Sequence, residues 1–410
     1  MSDLIERFYM AVGSGELGML HPVPGVTMVA VSAGIKKPGR LDCVVFALAG
    51  GSQTAGVFTT NAFCAAPVTL CKTHLKQRAP RYFVINTGNA NAGTGKLGMV
   101  SAQAVCDAMA DAAQVTSAEI LPFSTGVIGE QLPYQKITAV LPQALSSLSA
   151  NAWESVARGI MTTDTRPKAS SVQIDIGGQT ITITGITKGA GMIKPNMATM
   201  LAYVFTDADM AGDALQDCLG QAVNKSFNRI TVDSDTSTND CCMLVATGES
   251  GVQVDRSNPV FQDALEKVFL DLAQAIIRDA EGATKFVTIE VVNGADQAEC
   301  LRLAYTVAES PLVKTALYAS DPNWGRILAA AGRAGITDMD LEKVIIHLGE
   351  VCIVENGAVS PGYTEAAGQA VMDREEITIR IDLGRGDCCE TVWTSDLSHE
   401  YVTINAEYRT

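Results

Sequence analysis

Residues 188–201 combine residue types that could carry out acyl chemistry on the chain's own backbone. They read Lys-Gly-Ala-Gly-Met-Ile-Lys-Pro-Asn-Met-Ala-Thr-Met-Leu. Two glycines loosen the chain, and Pro195 restricts the residue before it to extended conformations. The small residue Ala198 then precedes Thr199, which begins an apolar run. This layout suits an N→O acyl shift, in which the Thr199 hydroxyl attacks the carbonyl group just before it.

Cleavage at that point would leave Thr199 as a new N-terminus. An α-amine has an ordinary pKa of about 8, so part of it is unprotonated at neutral pH. The threonine would then carry a nucleophile and its base together. On chemistry alone, however, a Gly-rich loop that enters a buried strand is common, and that structural interpretation is the stronger one.

Other sequence motifs of catalysis and cofactor binding do not match. The histidines are His21, His74, His347 and His399, and they form no H-E-x-x-H pattern. Residues 86–95 lie between a predicted strand and a predicted helix, but they lack the Walker and dinucleotide glycine patterns. The 11 cysteines include no C-x-x-C pair, which argues against zinc and thioredoxin-type sites. We therefore expect no metal site and reduced thiols.

Strand-like and helix-like patterns alternate along the chain. Residues 172–176 and 180–184 alternate apolar and polar types around two glycines, which predicts a β-hairpin. Apolar stripes predict helices over residues 211–227 and after Asn258, which can cap the second one. Three strands are predicted at the C-terminus, near 376–383, 389–394 and 400–406. Because several predicted strands follow one another without a helix, we expect an α/β (α+β) fold with mixed or antiparallel sheets layered with helices.

The composition is typical of an ordered globular protein. Of 410 residues, 47% are hydrophobic and 18% are charged, and the length favours two domains or one enlarged domain. A net charge of −15 argues against nucleic acid and anionic membranes as partners, since both attract basic surfaces. The N-terminus has no signal-peptide pattern, and no apolar run approaches the ~20 residues that span a bilayer. We therefore expect a cytoplasmic protein.

Residues 188–201 closely resemble the K-G-x-G-M-I-x-P-N-M-A-T-M-L signature of the ornithine acetyltransferase (glutamate N-acetyltransferase) family. The resemblance covers essentially the whole chain. Further matching stretches are 58–61, 85–93, 124–129, 161–165, 231–240, 281–285, 320–326 and 401–408. One position departs from the pattern, because many relatives have Ser where this chain has Ala190. If that hydroxyl assists processing, cleavage is slower here.

The resemblance implies that the chain cuts itself between Ala198 and Thr199. The products would be an α chain, residues 1–198, and a β chain, residues 199–410, with a smaller mixed α/β lobe from about residue 290 to 410. The resemblance also implies a heterotetramer of two α and two β chains. The implied fold is a layered sandwich similar in arrangement to the self-processing aminopeptidases.

The resemblance also implies roles for single residues. Thr199 would be the nucleophile and acetyl carrier. Thr125 and Gly126 would form the oxyanion hole through a hydroxyl and a backbone N–H, as donors aimed at the developing negative charge. Five further residues fall at the family's substrate-contacting positions: Thr162, Lys188, Glu281, Asn405 and Thr410.

These roles compete with plainer structural interpretations. Lys188 can pair with a substrate carboxylate and Glu281 with an ammonium group. Without the resemblance, both would be solvated surface charges, and the stretch around Thr125 would be an ordinary turn. Asn405 would lie on the polar face of the last predicted strand, and Thr410 in a frayed terminus.

The activity that the resemblance implies is transfer of the acetyl group from N2-acetyl-L-ornithine to L-glutamate in arginine biosynthesis. The two half-reactions would share one pocket and give ping-pong kinetics. No cofactor is expected, although some relatives also take acetyl from acetyl-CoA. Two alternatives remain open at this point. One is a self-processing threonine amidase or aminopeptidase in which water is the acceptor, and the other is a non-enzymatic α/β binding protein.

Overall fold

The computed structural model describes residues 11–194 and 200–407. They form two compact units. The larger comprises residues 16–228 and 235–276, and the smaller comprises 229–234 and residues from 277 onward together with 11–15. The predicted α and β chains are defined by a backbone cut and not by these units, so that division stays a prediction.

The described chain contains sixteen strands and eleven α-helices. The strands are β1 (Val26–Val31), β2 (Cys43–Leu48), β3 (Gln53–Phe58), β4 (Tyr82–Asn86), β5 (Ile120–Ser124), β6 (Lys168–Ile176), β7 (Gln179–Lys188), β8 (Leu201–Thr206), β9 (Ile230–Thr231), β10 (Cys241–Ala246), β11 (Phe286–Gly294), β12 (Ile345–Leu348), β13 (Val351–Glu355), β14 (Ala358–Val359), β15 (Glu376–Asp382) and β16 (Cys388–Ser395). The helices are α1 (Ala66–Gln77), α2 (Gly95–Ala113), α3 (Tyr134–Ser146), α4 (Trp153–Gly159), α5 (Gly212–Lys225), α6 (Pro259–Arg278), α7 (Gln297–Ala308), α8 (Pro311–Tyr318), α9 (Trp324–Gly332), α10 (Glu365–Met372) and α11 (His399–Ala406).

The larger unit contains two mixed sheets. The first has four strands in the order β1-β2-β4-β5, with only β4 and β5 parallel. The second has five strands in the order β3-β10-β8-β7-β6, with only β10 and β8 parallel. The predicted hairpin is confirmed as β6 and β7, which turn at Gly177 and Gly178.

Aromatic side chains fill the space between these two sheets. The Phe46 ring of β2 lies 5.7 Å from that of Tyr203 and 4.9 Å from that of Phe205, both on β8. The Phe123 ring of β5 meets Tyr203 edge-on at 5.1 Å. Such contacts add to the stabilisation from apolar burial. The sheets therefore pack face to face, and loops at one end of both sheets can meet.

Helices cover the outer faces of the two sheets. Val105 and Met109 of α2 share a buried cluster with Val45 and Val84 of the four-stranded sheet. On the five-stranded sheet, a Cβ at Gly185 would lie 3.0 Å from Leu272 of α6, so glycine permits close helix packing there. The predicted α/β (α+β) sandwich with mixed sheets and helices is confirmed.

The helix predicted after Asn258 is confirmed as α6. The Asn258 side-chain oxygen accepts a hydrogen bond from the Phe261 N–H at 3.1 Å, which is the expected capping contact. The helix predicted over 211–227 corresponds to α5 and ends two residues earlier.

The smaller unit has a seven-stranded sheet in the order β14-β13-β12-β15-β11-β16-β9. Val287, Ile289 and Val291 of β11 are buried together with residues of α7 and α9. The predicted strands near 376–383 and 389–394 are confirmed as β15 and β16.

The prediction of a last strand near 400–406 is wrong, because these residues form the helix α11. Ser398 begins this helix, and its hydroxyl accepts a hydrogen bond from the Tyr401 N–H at 3.3 Å. The N-terminal cap favours the helix, since it satisfies an amide that the helix itself leaves unpaired.

Candidate active site

Thr125 and Gly126 lie directly after β5, where the chain crosses the loop that follows β4. Asn86 and Ser124 are opposite each other in the register of these parallel strands, so both carboxyl ends meet at one edge. The Thr125 N–H donates to the Asn86 carbonyl at 3.0 Å. The Ser124 hydroxyl donates to the Asn86 side-chain oxygen at 2.6 Å. These contacts hold the crossing in one conformation.

Gly126 occupies a position that only glycine fits. Its φ is +133°, and a Cβ there would lie 2.4 Å from the carbonyl carbon of Gly88 and 2.5 Å from the nitrogen of Asn89. Within residues 11–194 and 200–407, neither the Gly126 N–H nor the Thr125 hydroxyl donates a hydrogen bond. Two donors at a rigid crossing are what an oxyanion hole requires.

Asn239 connects this crossing to the five-stranded sheet. It lies two residues before β10, and its side-chain amide donates to the carbonyl of Ala90 at 2.6 Å and to that of Ser124 at 2.9 Å. The side chain is buried, so both bonds form away from solvent. The crossing that carries Thr125 is therefore attached to the end of the sheet where β10 begins.

The strand β8 begins at this same end. Leu201 pairs with Lys188 of the antiparallel β7 and with Cys241 of the parallel β10. The Cys241 N–H donates to the carbonyl of Met200 at 3.1 Å. Met200 is directly bonded to Thr199, and both Thr199 and Ala198 lie outside the described residues. The nucleophile and the cleavage site stay predictions.

Thr162 and Lys188 are brought together in the larger unit. The Lys188 ammonium nitrogen lies 3.4 Å from the Thr162 hydroxyl oxygen. Asp164 lies beside both, and its carboxylate accepts the Thr162 N–H at 2.9 Å and the Gly189 N–H at 2.7 Å. Lys168 contacts the same carboxylate at 2.6 Å.

The Asp164 carboxylate is held in its ionised form. Burial alone would raise its pKa, but the charges of Lys168 and Lys188 and the hydrogen bonds from Lys168 and the Thr162 N–H hold the pKa well below its usual range. Asp164 therefore carries its negative charge at neutral pH.

Asp240 is a second buried carboxyl group at this end of the sheet. Burial raises its pKa, although Lys188, the Ser237 hydroxyl and the Met200 N–H each lower it. Its Oδ2 atom has no hydrogen-bond partner in the described part of the chain. Asp240 therefore favours its neutral form more strongly than Asp164 does.

Glu281 and Asn405 are brought together in the smaller unit. The Asn405 amide donates to the Glu281 carboxylate at 2.7 Å. Gly282, the next residue, has a φ of +70°, and a Cβ there would lie 2.5 Å from the Ser398 hydroxyl that caps α11. Asn405 lies on the helix α11 and not on the strand that the sequence predicted. Thr410 lies outside the described residues.

Four polar residues at the end of the sheet where β8 begins were not among the predicted site residues. They are Asp164, Lys168, Asn239 and Asp240. Asp164, Asn239 and Asp240 all fall in stretches that match the family pattern, which was the available signal. Nothing in the local sequence indicated that Lys168 would be buried against Asp164, since this depends on strand pairing.

No group of three or more His, Cys, Asp or Glu side chains in the described ranges could hold a metal ion. Among the described helices, none has the length and apolar character needed to cross a membrane.

Comparison with known proteins identifies the family. The model of the ArgJ family matches residues 27–410. The arginine biosynthesis bifunctional protein ArgJ of Pseudomonas fluorescens (strain Pf0-1) is 60% identical over 406 residues, which cover 98% of this chain and 100% of that protein. The chain belongs to the ArgJ family. The prediction of an acyltransferase of the glutamate N-acetyltransferase type is confirmed through this family.

Solved structures of similar proteins are also known. The arginine biosynthesis bifunctional protein ArgJ of Bacillus halodurans is 36% identical, and the match covers 50% of this chain and 97% of that one with a TM-score of 0.48. The ornithine acetyltransferase of Mycobacterium tuberculosis, in complex with ornithine, is 32% identical. That match covers 43% of this chain and 93% of the other, with a TM-score of 0.38.

Proposed function

We propose that this ArgJ family member transfers the acetyl group of N2-acetyl-L-ornithine to L-glutamate through an acetyl ester on Thr199. The observation that best supports this is the pair of donors at Thr125 and Gly126. They lie on a crossing that Asn239 attaches to the end of the sheet where β8 begins. Arginine biosynthesis as the setting is supported by the names of the curated relatives.

In the first half-reaction, the Thr199 hydroxyl oxygen attacks the acetyl carbonyl carbon of N2-acetylornithine. The negative charge that develops on the carbonyl oxygen is stabilised by the Thr125 hydroxyl and the Gly126 N–H. The carbon–nitrogen bond then breaks. The proton of the Thr199 hydroxyl moves through the threonine's own α-amine to the leaving nitrogen, and ornithine departs as a free amine.

In the second half-reaction, the amine of glutamate attacks the same carbonyl carbon. The ester carbon–oxygen bond breaks, and one amine proton returns to the Thr199 oxygen. N-acetylglutamate leaves, and the enzyme is restored. The same two donors serve both steps, so ping-pong kinetics are expected.

The substrate-binding roles come from the family resemblance, and the charges of the residues fit them. Lys188, supported by Thr162, pairs with the α-carboxylate that both amino-acid substrates carry, since an ammonium group forms strong hydrogen bonds with a carboxylate. Glu281, held by Asn405, pairs with the side-chain ammonium group of ornithine. Thr410 completes the set of substrate contacts.

Thr199 becomes an N-terminus only if the chain cleaves itself, so processing into chains 1–198 and 199–410 is part of the proposal. Two copies of each chain would assemble into a cytoplasmic heterotetramer. The reaction needs no cofactor, and acetyl-CoA is a second candidate donor.

An acetyl-transfer assay tests the proposal directly. With N2-acetylornithine as donor, we expect N-acetylglutamate to form in amounts that match the ornithine released. The assay is repeated with acetyl-CoA as donor. Free acetate without N-acetylglutamate would favour the alternative of a threonine amidase, in which water accepts the acetyl group.

Intact mass and one variant test the nucleophile. The purified protein should show two fragments with masses that correspond to residues 1–198 and 199–410. The Thr199→Ala variant should remain a single chain and should be inactive. Cleavage at the same bond in Thr199→Ala would exclude Thr199 as the nucleophile of processing.

The Thr125→Val variant tests the oxyanion hole. It keeps the side-chain shape and removes one donor, so kcat should fall by about 10²–10³. Thr87→Val is the matched control, because Thr87 is also buried and its hydroxyl oxygen has no partner within the described ranges. Equal loss of kcat in both variants would contradict the assigned role of Thr125.

A further inference from the structure

A single carboxylate fixes the main chain beside two substrate-binding residues of the proposed function. Asp164 accepts the N–H of Thr162 itself at 2.9 Å. It also accepts the N–H of Gly189, the residue after Lys188, at 2.7 Å. The positions of Thr162 and Lys188 in the larger unit are thus set by the same group.

Strand register explains why Asp164 reaches both segments. Lys168 is the first residue of β6 and pairs with Thr187 on β7. Residues 162–167 therefore fold over the end of the sheet at which β7 finishes. Arg40 also holds this segment, because its guanidinium donates to the carbonyls of Met161 at 2.9 Å and Thr162 at 3.1 Å.

Lys168 balances the charge of Asp164. Their side chains are 1% and 0% exposed, and the ammonium nitrogen lies 2.6 Å from the carboxylate oxygen. A buried carboxylate without such a partner would be costly. Lys168 supplies that partner in direct contact, and the charge of Lys188 also acts on Asp164.

We propose that Asp164 is a positioning residue of the substrate site. It orients Thr162 and Lys188 toward the carboxylate of the amino-acid substrate, and Lys168 neutralises the charge of Asp164. This inference rests on the proposed function. Asp164 does not touch the reacting atoms, so it should affect substrate binding more than the chemical step.

Steady-state kinetics of the Asp164→Asn variant test this role. An amide has only one oxygen, so it cannot accept both N–H groups from the two sides of the present carboxylate. We expect the KM for N2-acetylornithine and for glutamate to rise at least about tenfold each, as for loss of a charged hydrogen bond. The kcat should stay within about threefold of the wild type, since the oxyanion donors are unchanged.

The matched control is Asp42→Asn. Asp42 is also buried in the larger unit, and its two oxygens accept the N–H groups of Ala33 and Ile35 at 2.6 Å each. This variant likewise disturbs a buried carboxylate that accepts two backbone N–H groups, and it leaves no buried lysine without its partner. Both KM values should be unchanged. A KM rise as large as that of Asp164→Asn would show that Asp164 has only a structural role.

A second variant keeps the test decisive if Asp164→Asn does not fold. The Asp164→Asn/Lys168→Met double variant removes the buried lysine that the single variant leaves unpaired, and it should fold. It should still show raised KM values with kcat near that of the wild type. Wild-type KM values in either folded variant would overturn the proposal.

Calorimetric titration with glutamate separates this inference from the proposed function. A wild type that transfers acetyl and binds glutamate, with a variant that binds at least about tenfold more weakly, supports both. A wild type that forms no N-acetylglutamate contradicts the proposed function. An active wild type with unchanged binding in the variant contradicts the positioning role alone.

Discussion

The most buried lysine in the described part of each unit is satisfied in a different way. In the larger unit, Lys168 contacts the Asp164 carboxylate directly at 2.6 Å. In the smaller unit, the Lys314 ammonium donates to the Thr394 hydroxyl at 2.9 Å and to the carbonyl of Ser395. Within the described ranges, no carboxylate lies at ion-pair distance from Lys314. Lys168 therefore has an ionic partner, whereas Lys314 is stabilised by the dipoles of a hydroxyl and a carbonyl group.

This difference decides which charge is permanent. Burial lowers the pKa of Lys314 to about 8, although the more distant Asp396, Asp233 and Glu309 raise it. By contrast, the direct pair with Lys168 helps to hold the pKa of Asp164 well below its usual range. A direct partner keeps a buried charge fixed over the working pH range, whereas distant carboxylates leave a charge that titrates.

The largest expected effect is that of Lys168→Met. It leaves Asp164 buried without its ionic partner, and the loss of one partner of a buried pair costs about 3–5 kcal/mol. Lys314→Met should cost much less, because Asp396 keeps the N–H groups of Thr284 and Lys285 as donors. Urea unfolding of both variants measures the two losses of unfolding free energy. A larger loss for Lys314→Met would reverse the comparison.

A smaller effect is expected from pH acting on Lys314. Its folded pKa of about 8 lies below its ordinary value of 10.5, so the unfolded state binds more protons between these two pH values. The contribution of Lys314 to stability is therefore unfavourable below pH 8 and improves as the pH rises toward 10.5. The full change is about 3 kcal/mol.

The measurement is the difference in unfolding free energy between the wild type and Lys314→Met, at pH 7.5 and at pH 10. The unfolding free energy of the wild type should increase relative to that of Lys314→Met as the pH rises. A difference that does not change with pH would mean that Lys314 has an ordinary pKa.

The smallest effect is expected at the neutral donor of the smaller unit. Asn405→Ala removes the amide that donates to the Glu281 carboxylate at 2.7 Å, which should cost about 1–2 kcal/mol. Val402→Ala is the control, because Val402 is 64% exposed on the same helix and should change stability little. Thermal unfolding measures both. Equal effects would show that Glu281 does not depend on Asn405.

Much of the fold could be predicted because it is locally encoded. The β6–β7 hairpin follows from alternation around two glycines, and α6 begins at its Asn258 cap. The strand predicted near 400–406 is wrong, because the Ser398 cap begins a helix there, and a segment this short does not decide between strand and helix.

Candidate site residues could be named only where a long family motif contains them. Thr125, Gly126, Thr162 and Lys188 came from the family resemblance, and the structure adds the contacts that hold them. Asp164 and Lys168 could not be predicted as a buried pair. Their spacing of four residues indicates a contact in a helix, whereas here Lys168 begins a strand.

The sequence by itself determined the family, through residues 188–201, and the elements whose signals are local: turns, caps and the alternation of a hairpin. Only the tertiary structure decided which polar groups meet. Asn239 bonds to a carbonyl 149 residues away, and Gly126 must be glycine because a Cβ there would lie 2.4 Å from the carbonyl carbon of Gly88. Such contacts depend on strand register and on the packing of one sheet against another, which no local pattern specifies.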